Sequence, residues 1–434
     1  MTFKLIELKD NGVRIGDLCG RQTPRFFMIN NFGGGGTNVS RFFVYLPLFA
    51  ESKSELLLNY YYLNTKFEKT PAFNTKILRN ILAFSDIKEF IEYARKDLIR
   101  NERCCLKEMR YQPAGWRPIV LVDSGSGNIF RDISKHVDES NFEDALVSEA
   151  KNYIGFCEKL KFDIAISLDI AGKYTWKKGE TADQGYVKKL KTFTEPKWNL
   201  ALGRIFLKEI PEPTNVSYYA AVHGNSPTDY VNYLDMILTI EKDVKKSFSG
   251  FAIGGLGYLT KEAIYEAVKN IRIRLSDLDD DRPIHVLGVG SVQNIIPLSL
   301  YGADTFDCHS PWRRASEDKL IVPLFNSACE VIAKNDSYWK YIPLSQLKEL
   351  QCDCEVCKNH SLSELKRIKN GDAEESIYFR ILAYRHNVHQ QEVLCELLRS
   401  PQNLDGTVER IPKSKYKKEI QHLLASKSQK PLFE

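Results

Sequence analysis

The sequence predicts a closed (β/α)8 barrel, an α/β fold of eight parallel strands, and three observations support it. Eight short apolar segments are rich in β-branched and aromatic residues, which is the composition of buried strands. Amphipathic helical patterns separate most of them, as expected when helices join parallel strands. Eight is also the number of strands that closes such a barrel. An open doubly wound sheet is the alternative architecture.

The candidate strands can be placed individually along the chain. They are Arg25–Ile29, Glu55–Leu58, Pro118–Val122, Asp163–Leu168, Ser217–Val222, Gly250–Ile253, Ile284–Leu287 and Asp304–Phe306. Helical patterns are predicted for Asp144–Lys161, Asp229–Phe248 and Lys261–Arg274, because their apolar residues recur at helical spacing. The long connection after the second strand is expected to contain a further helix, Ile87–Arg100.

Acidic residues, glycines and one histidine directly follow several of these strands. They are Asp123, Asp169, His223, Gly254–Gly255, Gly288–Gly290 and Asp307. In a barrel, the carboxyl ends of all strands open on one face, where catalytic groups lie. The sequence therefore predicts one shared pocket. The alternative is that each residue only forms a turn or caps a helix, as Asp and Gly often do.

The composition is that of an ordinary globular protein, with 43% hydrophobic and 27% charged residues. A net charge of +5 does not by itself indicate a nucleic-acid-binding protein, so any such surface must be a local patch. No apolar run approaches the ~20 residues that a membrane span needs, and no secretory signal is apparent. We therefore expect a cytoplasmic protein with no membrane partner.

Two segments are rich in basic residues and are candidates for binding a polyanion. The connection after the fourth strand, residues 172–198, interleaves lysines with aromatic residues. Lysines neutralise phosphates and aromatic rings stack on bases, so Lys177 and Lys178 are candidate nucleic-acid contacts, with a solvated loop as the alternative. The basic C-terminal tail, 401–434, is interpreted as a frayed terminus rather than a polyanion contact.

A cysteine cluster predicts a zinc site. Its members, Cys352, Cys354 and Cys357, form a Cys-x-Cys-x-x-Cys pattern. In a reducing compartment, clustered cysteines are typical metal ligands, and these three can face one tetrahedral ion. His386 is the preferred fourth ligand over His389, and His360 lies too close along the chain. Four protein ligands make such a zinc structural. The alternative is three incidental cysteines.

These motifs together resemble those of the tRNA-guanine transglycosylases, from about Arg25 to about His389. The matching segments are Val-Asp-Ser-Gly (122–125), Ile-Gly-Gly-Leu (253–256), Leu-Gly-Val-Gly (287–290), Thr-Phe-Asp-Cys (305–308) and Cys-Asp-Cys-Glu-Val-Cys-Lys-Asn (352–359) with His386-Asn387 downstream. Their order agrees with the barrel interpretation, which was reached from strand and helix patterns alone.

The resemblance implies roles for individual residues. Asp307 would be the nucleophile, Asp123 an acid/base, and Asp169 the reader of the purine's pyrimidine edge. Arg313 and Arg314 would lie near the substrate backbone. Base-binding positions implied by the same motifs are His223, Gly254, Gly255, Leu256 and Tyr258, and the implied zinc ligands are Cys352, Cys354, Cys357 and His386.

Several positions depart from the usual pattern of that family. Gly127 stands where an aromatic residue normally stacks on the base, His223 replaces a glutamine, and Thr260 replaces a glutamate. Without that glutamate, a cationic 7-aminomethyl base would lack a counter-charge, so neutral 7-cyano-7-deazaguanine fits better, with Tyr258 as a possible stacking surface. These departures, and Asp-Cys-His-Ser-Pro-Trp-Arg-Arg (307–314), resemble the DNA 7-deazaguanine transglycosylases.

The sequence therefore predicts a pentosyltransferase that replaces guanine in DNA with 7-cyano-7-deazaguanine. Action on tRNA is the alternative, and a non-catalytic nucleic-acid-binding subunit is the alternative of another class. Expected partners are DNA, the free 7-deazaguanine base, other proteins of a DNA-modification system and a second copy in a homodimer. The predicted domains are the barrel (residues 1–340), a zinc-binding subdomain (341–400) and the basic tail (401–434).

Overall fold

The structure of the protein is a computed structural model. It describes residues 3–30, 54–63, 81–100, 117–126, 129–130, 141–170, 196–401 and 404–428. The predicted basic segment 172–198, including Lys177 and Lys178, lies almost entirely outside the described residues, as does Gly127.

Eight parallel strands form a closed barrel, in the order β10-β11-β4-β5-β6-β7-β8-β9. They are β4 (Arg25–Asn30), β5 (Glu55–Asn59), β6 (Val120–Asp123), β7 (Ile164–Ile166), β8 (Ser217–Val222), β9 (Gly250–Ile253), β10 (Ile284–Val286) and β11 (Thr305–Asp307). All eight predicted strands are present, with ends shifted by up to two residues. The barrel is confirmed over the open sheet, because β11 pairs with β4 and closes the circle.

Alternation along the strands separates the barrel interior from its helical coat. Phe27 and Ile29 of β4 belong to an inner apolar cluster, whereas Phe26 and Met28 belong to the larger core between the strands and the surrounding helices. The same alternation directs the last residues of some strands inward. Asn59 follows inward Leu57 by two positions, which places a polar group at the barrel mouth.

A small antiparallel sheet, which the sequence analysis did not predict, precedes the barrel. It contains β1 (Lys4–Leu8), β2 (Arg14–Leu18) and β3 (Arg21–Gln22). Leu18 packs into the inner apolar cluster of the barrel. Buried Arg14 donates to Asp304, which directly precedes β11, so the sheet covers the end of the barrel opposite the strands' carboxyl ends.

Helices surround the barrel, and the four that were predicted are confirmed. The first five are α1 (Tyr60–Leu63), α2 (Ile87–Arg100), α3 (Phe142–Leu160), α4 (Pro196–Glu209) and α5 (Pro227–Val244). They are followed by α6 (Lys261–Ser276), α7 (Ile295–Leu300) and α8 (Ser310–Ser316). None of the helices in the described part of the chain combines the length and apolarity that a membrane span requires.

The segment after the barrel packs onto it through one long helix. It contains β12 (Lys319–Ile321), β13 (Tyr341–Pro343), α9 (Glu355–Asn359), α10 (Leu362–Lys369) and α11 (Ala373–Arg399). Within α11, the Tyr384 hydroxyl donates to the Ile29 carbonyl at 3.0 Å, and buried Glu392 accepts from Ser54. The predicted boundary at residue 341 stays a prediction.

The C-terminal segment is helical where the structure describes it, so the interpretation as a frayed terminus is wrong there. It forms α12 (Leu404–Arg410) and α13 (Lys415–Ser428). Tyr416 and Ile420 of α13 are buried in the main core, and Glu419 pairs with Lys261 of α6 at 2.6 Å. Lys415 and Lys418 lie on the exposed side of this amphipathic helix, whose apolar side was not recognised in the sequence.

Candidate active site and candidate metal centre

Three carboxylates predicted from strand ends meet at the mouth of the barrel. Asp123 and Asp307 are the last residues of β6 and β11, and Asp169 lies three residues beyond β7. The negative charges of Asp169 and Asp307 both act on Asp123. The barrel therefore converts three distant sequence positions into one acidic cluster.

Asp123 lies in a setting that favours its protonated form. Burial, reinforced by the charges of Asp169 and Asp307, raises the pKa of Asp123 from 3.8 to about 7. The Asn59 side chain, directly across the β5–β6 pair, donates to Asp123 Oδ2 at 2.8 Å and partly opposes this rise. A carboxyl group with a pKa near neutrality can both donate and accept a proton under physiological conditions.

Asp307 is buried, and two neighbours hold the same oxygen of its carboxylate. The Gly288 backbone N–H donates to Asp307 Oδ1 at 3.0 Å, and His285 Nε2 lies 3.1 Å from that atom. Gly288 has a φ of +76°, a conformation that glycine adopts without strain. A positioned carboxylate at the mouth of a barrel can act as a nucleophile.

Asp169 contacts His223, another predicted site residue. Asp169 Oδ2 lies 2.6 Å from His223 Nε2, and the Asp169 backbone N–H donates to Ser126 Oγ at 3.1 Å. Burial alone would lower the pKa of His223, but the charge and hydrogen bond of Asp169 raise it above the ordinary 6.5. The two side chains form a close pair in which Asp169 favours the protonated imidazole.

The segment after β9 approaches this pair closely. A Cβ at Gly254 would lie 2.5 Å from His223 Cε1, so only glycine fits beside the imidazole. The Gly254 carbonyl accepts from the Tyr230 hydroxyl at 2.7 Å. The Leu256 side chain is fully buried in the core, which leaves its backbone as the part available to a ligand.

Tyr258 and Thr260 also follow β9. Tyr258 lies in a 3-10 turn, but its side chain is outside the described part of the structure. Thr260 caps α6, because its side chain accepts from the Ala263 N–H at 3.3 Å. The position where related enzymes would carry a glutamate is therefore occupied here by a helix cap.

The two predicted arginines lie on α8, just after the nucleophile candidate. Arg313 is 74% exposed and Arg314 is 37% exposed, and both pair with Glu317. Their helix begins three residues after Asp307. Arg313 in particular can reach a phosphate group in solvent.

The four predicted metal ligands come together as one group. Their ligand atoms, from Cys352, Cys354, Cys357 and His386, all lie within 4.8 Å of one another. His386 Nδ1 lies 3.5 Å from Cys354 Sγ and 3.4 Å from Cys357 Sγ. His386 Nε2 lies 2.8 Å from the Ile321 carbonyl, which leaves Nδ1 free to bind a metal, an arrangement typical of metal-binding histidines.

This donor set could hold a metal ion. His389, the other downstream candidate, groups instead with Cys352 and Asp353. Three thiols and one imidazole nitrogen are the ligands that structural zinc sites use.

Two residues of the site were not found from the sequence. Asn59 ends β5, so the strand-end argument that selected Asp123 would also have selected it. His285 lies inside β10 and carries no such signal, because its contact with Asp307 depends on how β10 pairs with β11.

The sequence profile of the family described as "Queuine tRNA-ribosyltransferase" matches residues 111–409. The queuine tRNA-ribosyltransferase of Caldanaerobacter subterraneus subsp. tengcongensis is 27% identical over 310 residues, which are 68% of this chain and 73% of that protein. The one from Thermoanaerobacter pseudethanolicus has the same identity and coverage. That of Staphylococcus haemolyticus is 33% identical over 158 residues, 36% of this chain and 38% of that protein.

The profile match spans more than half of the chain and includes the three site carboxylates and the four candidate metal ligands. It agrees with the closed barrel and with the resemblance found in the sequence. The chain therefore belongs to the queuine tRNA-ribosyltransferase family, the tRNA-guanine transglycosylases, and is a pentosyltransferase.

Proposed function

We propose that this protein replaces a guanine base in a polynucleotide with a free 7-deazaguanine base through a covalent intermediate on Asp307. The observation that carries the proposal is the grouping of Asp307, Asp123 and Asp169 at one barrel mouth, with Asp307 held by two neighbours. Family membership supports the same chemistry.

The reaction consists of two displacements at C1′ of the target nucleotide. A carboxylate oxygen of Asp307 bonds to C1′ as the C1′–N9 bond breaks, and the departing guanine takes a proton from Asp123. The incoming base then gives its N9 proton to Asp123, bonds to C1′ and releases the Asp307 carboxylate. Two displacements retain the configuration at C1′.

The base would bind beside Asp169 and His223. Asp169 accepts hydrogen bonds from N1–H and the exocyclic amine of a guanine-like base. Glycine at 254 and 255 lets the backbone approach the base plane. The target base must leave its stack to reach this pocket, and Arg313 would neutralise a neighbouring phosphate.

Zinc is the metal that the Cys352, Cys354, Cys357 and His386 group fits best. Three thiolates and one imidazole form a complete tetrahedral shell. An ion held there would stabilise the segment around α9 and α11, and it would have no open position for a water molecule.

The incoming base is proposed to be neutral at its 7-substituent. Thr260, the helix cap, is directed to the Ala263 N–H and carries no charge. A cationic aminomethyl group would therefore find no counter-charge from this position. 7-Cyano-7-deazaguanine has no such requirement.

Two polynucleotides are candidates. The printed names of the relatives support tRNA. DNA is the second candidate, and it is favoured by the departures at His223 and Thr260 and by the segment 307–314, which resemble the DNA 7-deazaguanine transglycosylases.

A base-exchange assay separates these candidates. Labelled 7-cyano-7-deazaguanine is incubated with the protein and either bulk tRNA or double-stranded DNA, and the label retained in each polynucleotide is counted. Label in tRNA alone identifies the tRNA enzyme, and label in DNA alone identifies the DNA enzyme. Label in neither, from a folded protein, contradicts the proposed exchange with this base.

The nucleophile is tested separately by trapping. Denaturation during turnover should leave a covalent polynucleotide adduct on the wild-type protein and none on Asp307→Ala. Asp235→Ala, which removes a surface carboxylate paired with Arg274 of α6, is the control and should keep the adduct. An adduct on Asp307→Ala would exclude Asp307 as the nucleophile.

A further inference from the structure

His285 occupies an unusual place for an imidazole, fully buried inside the barrel. It lies in the middle of β10, opposite Thr305 in the parallel pairing with β11. Its ring packs edge-on against Phe27, with ring centroids 5.6 Å apart at 89°. The ring is neither exposed to solvent nor at the end of a strand, so neither position explains why a polar residue occurs here.

Both ring nitrogens of His285 have partners on β11. Nδ1 lies 2.8 Å from Thr305 Oγ1, and Nε2 lies 3.1 Å from Asp307 Oδ1. A carboxylate only accepts hydrogen bonds, so Nε2 carries the proton. Nδ1 then accepts from the Thr305 hydroxyl. A neutral imidazole satisfies both contacts, and the two partners fix the orientation of the ring.

The two carboxylate oxygens of Asp307 therefore differ in their hydrogen bonds. Oδ1 receives both the His285 Nε2–H and the Gly288 backbone N–H. Within the described part of the chain, no hydrogen-bond donor reaches Oδ2. The carboxylate is therefore held by one oxygen, and the other is left without a donor among the described residues.

We propose that His285 is the positioning residue for the nucleophile, directing Asp307 Oδ2 to C1′. This inference rests on the proposed function. In the intermediate, Oδ2 carries the sugar and Oδ1 is the ester carbonyl, which still accepts from His285 and Gly288. When the incoming base bonds to C1′, the C1′–Oδ2 bond breaks and its electron pair returns to the Asp307 carboxylate. The same two donors then stabilise the negative charge of that carboxylate. His285 thus assists both displacements without exchanging a proton.

The test uses three variants of the full-length protein. His285→Phe keeps an aromatic ring beside Phe27 and removes both nitrogens, whereas His285→Gln keeps one N–H donor. Thr305→Val removes the hydroxyl that orients the ring. Single-turnover formation of the covalent adduct, kcat, KM for the polynucleotide and thermal stability are measured for each.

A lost donor to a developing charge typically costs on the order of 10²-fold in rate. We expect His285→Phe to slow the second displacement and kcat by about that factor, because negative charge returns to Asp307 there. It should also slow adduct formation, because Oδ2 is no longer directed to C1′, with KM for the polynucleotide unchanged. Thr305→Val should cause a smaller loss, and His285→Gln should recover part of the rate.

The outcomes distinguish this inference from the proposed function. If wild-type protein forms no adduct, the proposed function fails and this inference fails with it. If wild-type protein forms the adduct and His285→Phe forms it equally fast, only the role of His285 is overturned. Should His285→Phe not fold, unchanged kcat in both His285→Gln and Thr305→Val overturns it, and reduced kcat at constant KM supports it.

Discussion

His223 Nε2 lies 2.6 Å from Asp169 Oδ2 at the mouth of the barrel. Both side chains are mostly buried, and the Tyr233 ring packs edge-on against the imidazole with ring centroids 6.2 Å apart. The pair links the ends of β7 and β8. The charge of Asp169 raises the pKa of His223 and so favours a protonated imidazole beside the carboxylate proposed to read the base.

Asp169→Asn should lower the pKa of His223, because the Asp169 charge is what raises it against the effect of burial. A histidine whose pKa is raised on folding contributes stability below its unfolded value, near 6.5, and loses it as pH rises through the folded value. The variant should therefore lose about 1.5–3 kcal/mol of unfolding free energy near pH 6. The loss should be smaller near pH 9.

NMR titration of the imidazole and denaturant unfolding at both pH values check this prediction. Asp235→Asn, which removes a negative charge from a surface pair with Arg274, controls for the change in net charge. An unchanged His223 titration in Asp169→Asn would contradict the assignment of the pair.

Guanine release should decline as pH rises above about 7, where the buried carboxyl group of Asp123 loses its proton. Because the pKa of Asp123 is raised to about 7, the protonated carboxyl group that the departing base needs predominates below that pH. Asn59→Ala removes an amide that lowers the pKa, so it should move the decline to higher pH. Pre-steady-state guanine release, measured across the neutral range, provides the profile.

Asp123→Asn is the reference for that experiment. It should reduce the rate by roughly 10²–10⁴-fold, the usual contribution of a general acid, and remove the decline near neutrality. A shift of the Asn59→Ala profile to lower pH would show that the amide does not act on the Asp123 carboxyl as proposed.

Asp304→Ala should destabilise the barrel strongly. Its carboxylate bridges Arg14 at 3.2 Å and Arg272 at 3.0 Å, and all three side chains are buried. Removing one partner of a buried ion pair leaves charge uncompensated and costs about 3–5 kcal/mol. Asp235→Ala, which breaks a surface pair with Arg274, should cost less than about 1 kcal/mol.

Chemical denaturation of the two variants gives the comparison directly. Equal losses in unfolding free energy would mean that Asp304 is not the anchor between the N-terminal sheet and the barrel.

Cys354→Ser should remove the metal and lower thermal stability. Cys354 is buried beside His386, and structural zinc contributes to folding free energy. Elemental analysis of the wild-type protein should give one zinc per chain, and a chelator should reproduce the effect of the variant. Cys19→Ser, at a half-buried free thiol far from the cluster along the chain, should keep both the metal and the melting temperature. Full metal content in Cys354→Ser would contradict the ligand assignment.

The sequence was most informative where the signal is local. Apolar runs rich in β-branched and aromatic residues identified all eight barrel strands, and α2 was predicted with the bounds it has in the structure. The cysteine spacing identified the metal group, because three ligands lie within six residues. The C-terminal helix α13 was not predicted, because the segment was interpreted from its basic residues and the helical spacing of Tyr416 and Ile420 was not considered.

The residues at strand ends located the site but not the contacts within it. Asp123, Asp169, His223 and Asp307 were identified because all barrel strands end on one face. The contact of Asn59 with Asp123 was not predicted. That contact depends on the register of β5 against β6, which no pattern within either strand specifies.

The sequence alone thus determined the barrel, the metal group and the acidic groups at the barrel mouth. These follow from residue periodicity and spacing, which each segment carries by itself. Only the tertiary structure decided that His285 holds Asp307, that His223 pairs with Asp169 and that Asp304 joins two arginines. The reason is that hydrogen bonds and ion pairs require atoms within about 3 Å, and closure of the barrel, not the order of residues, brings these atoms that close.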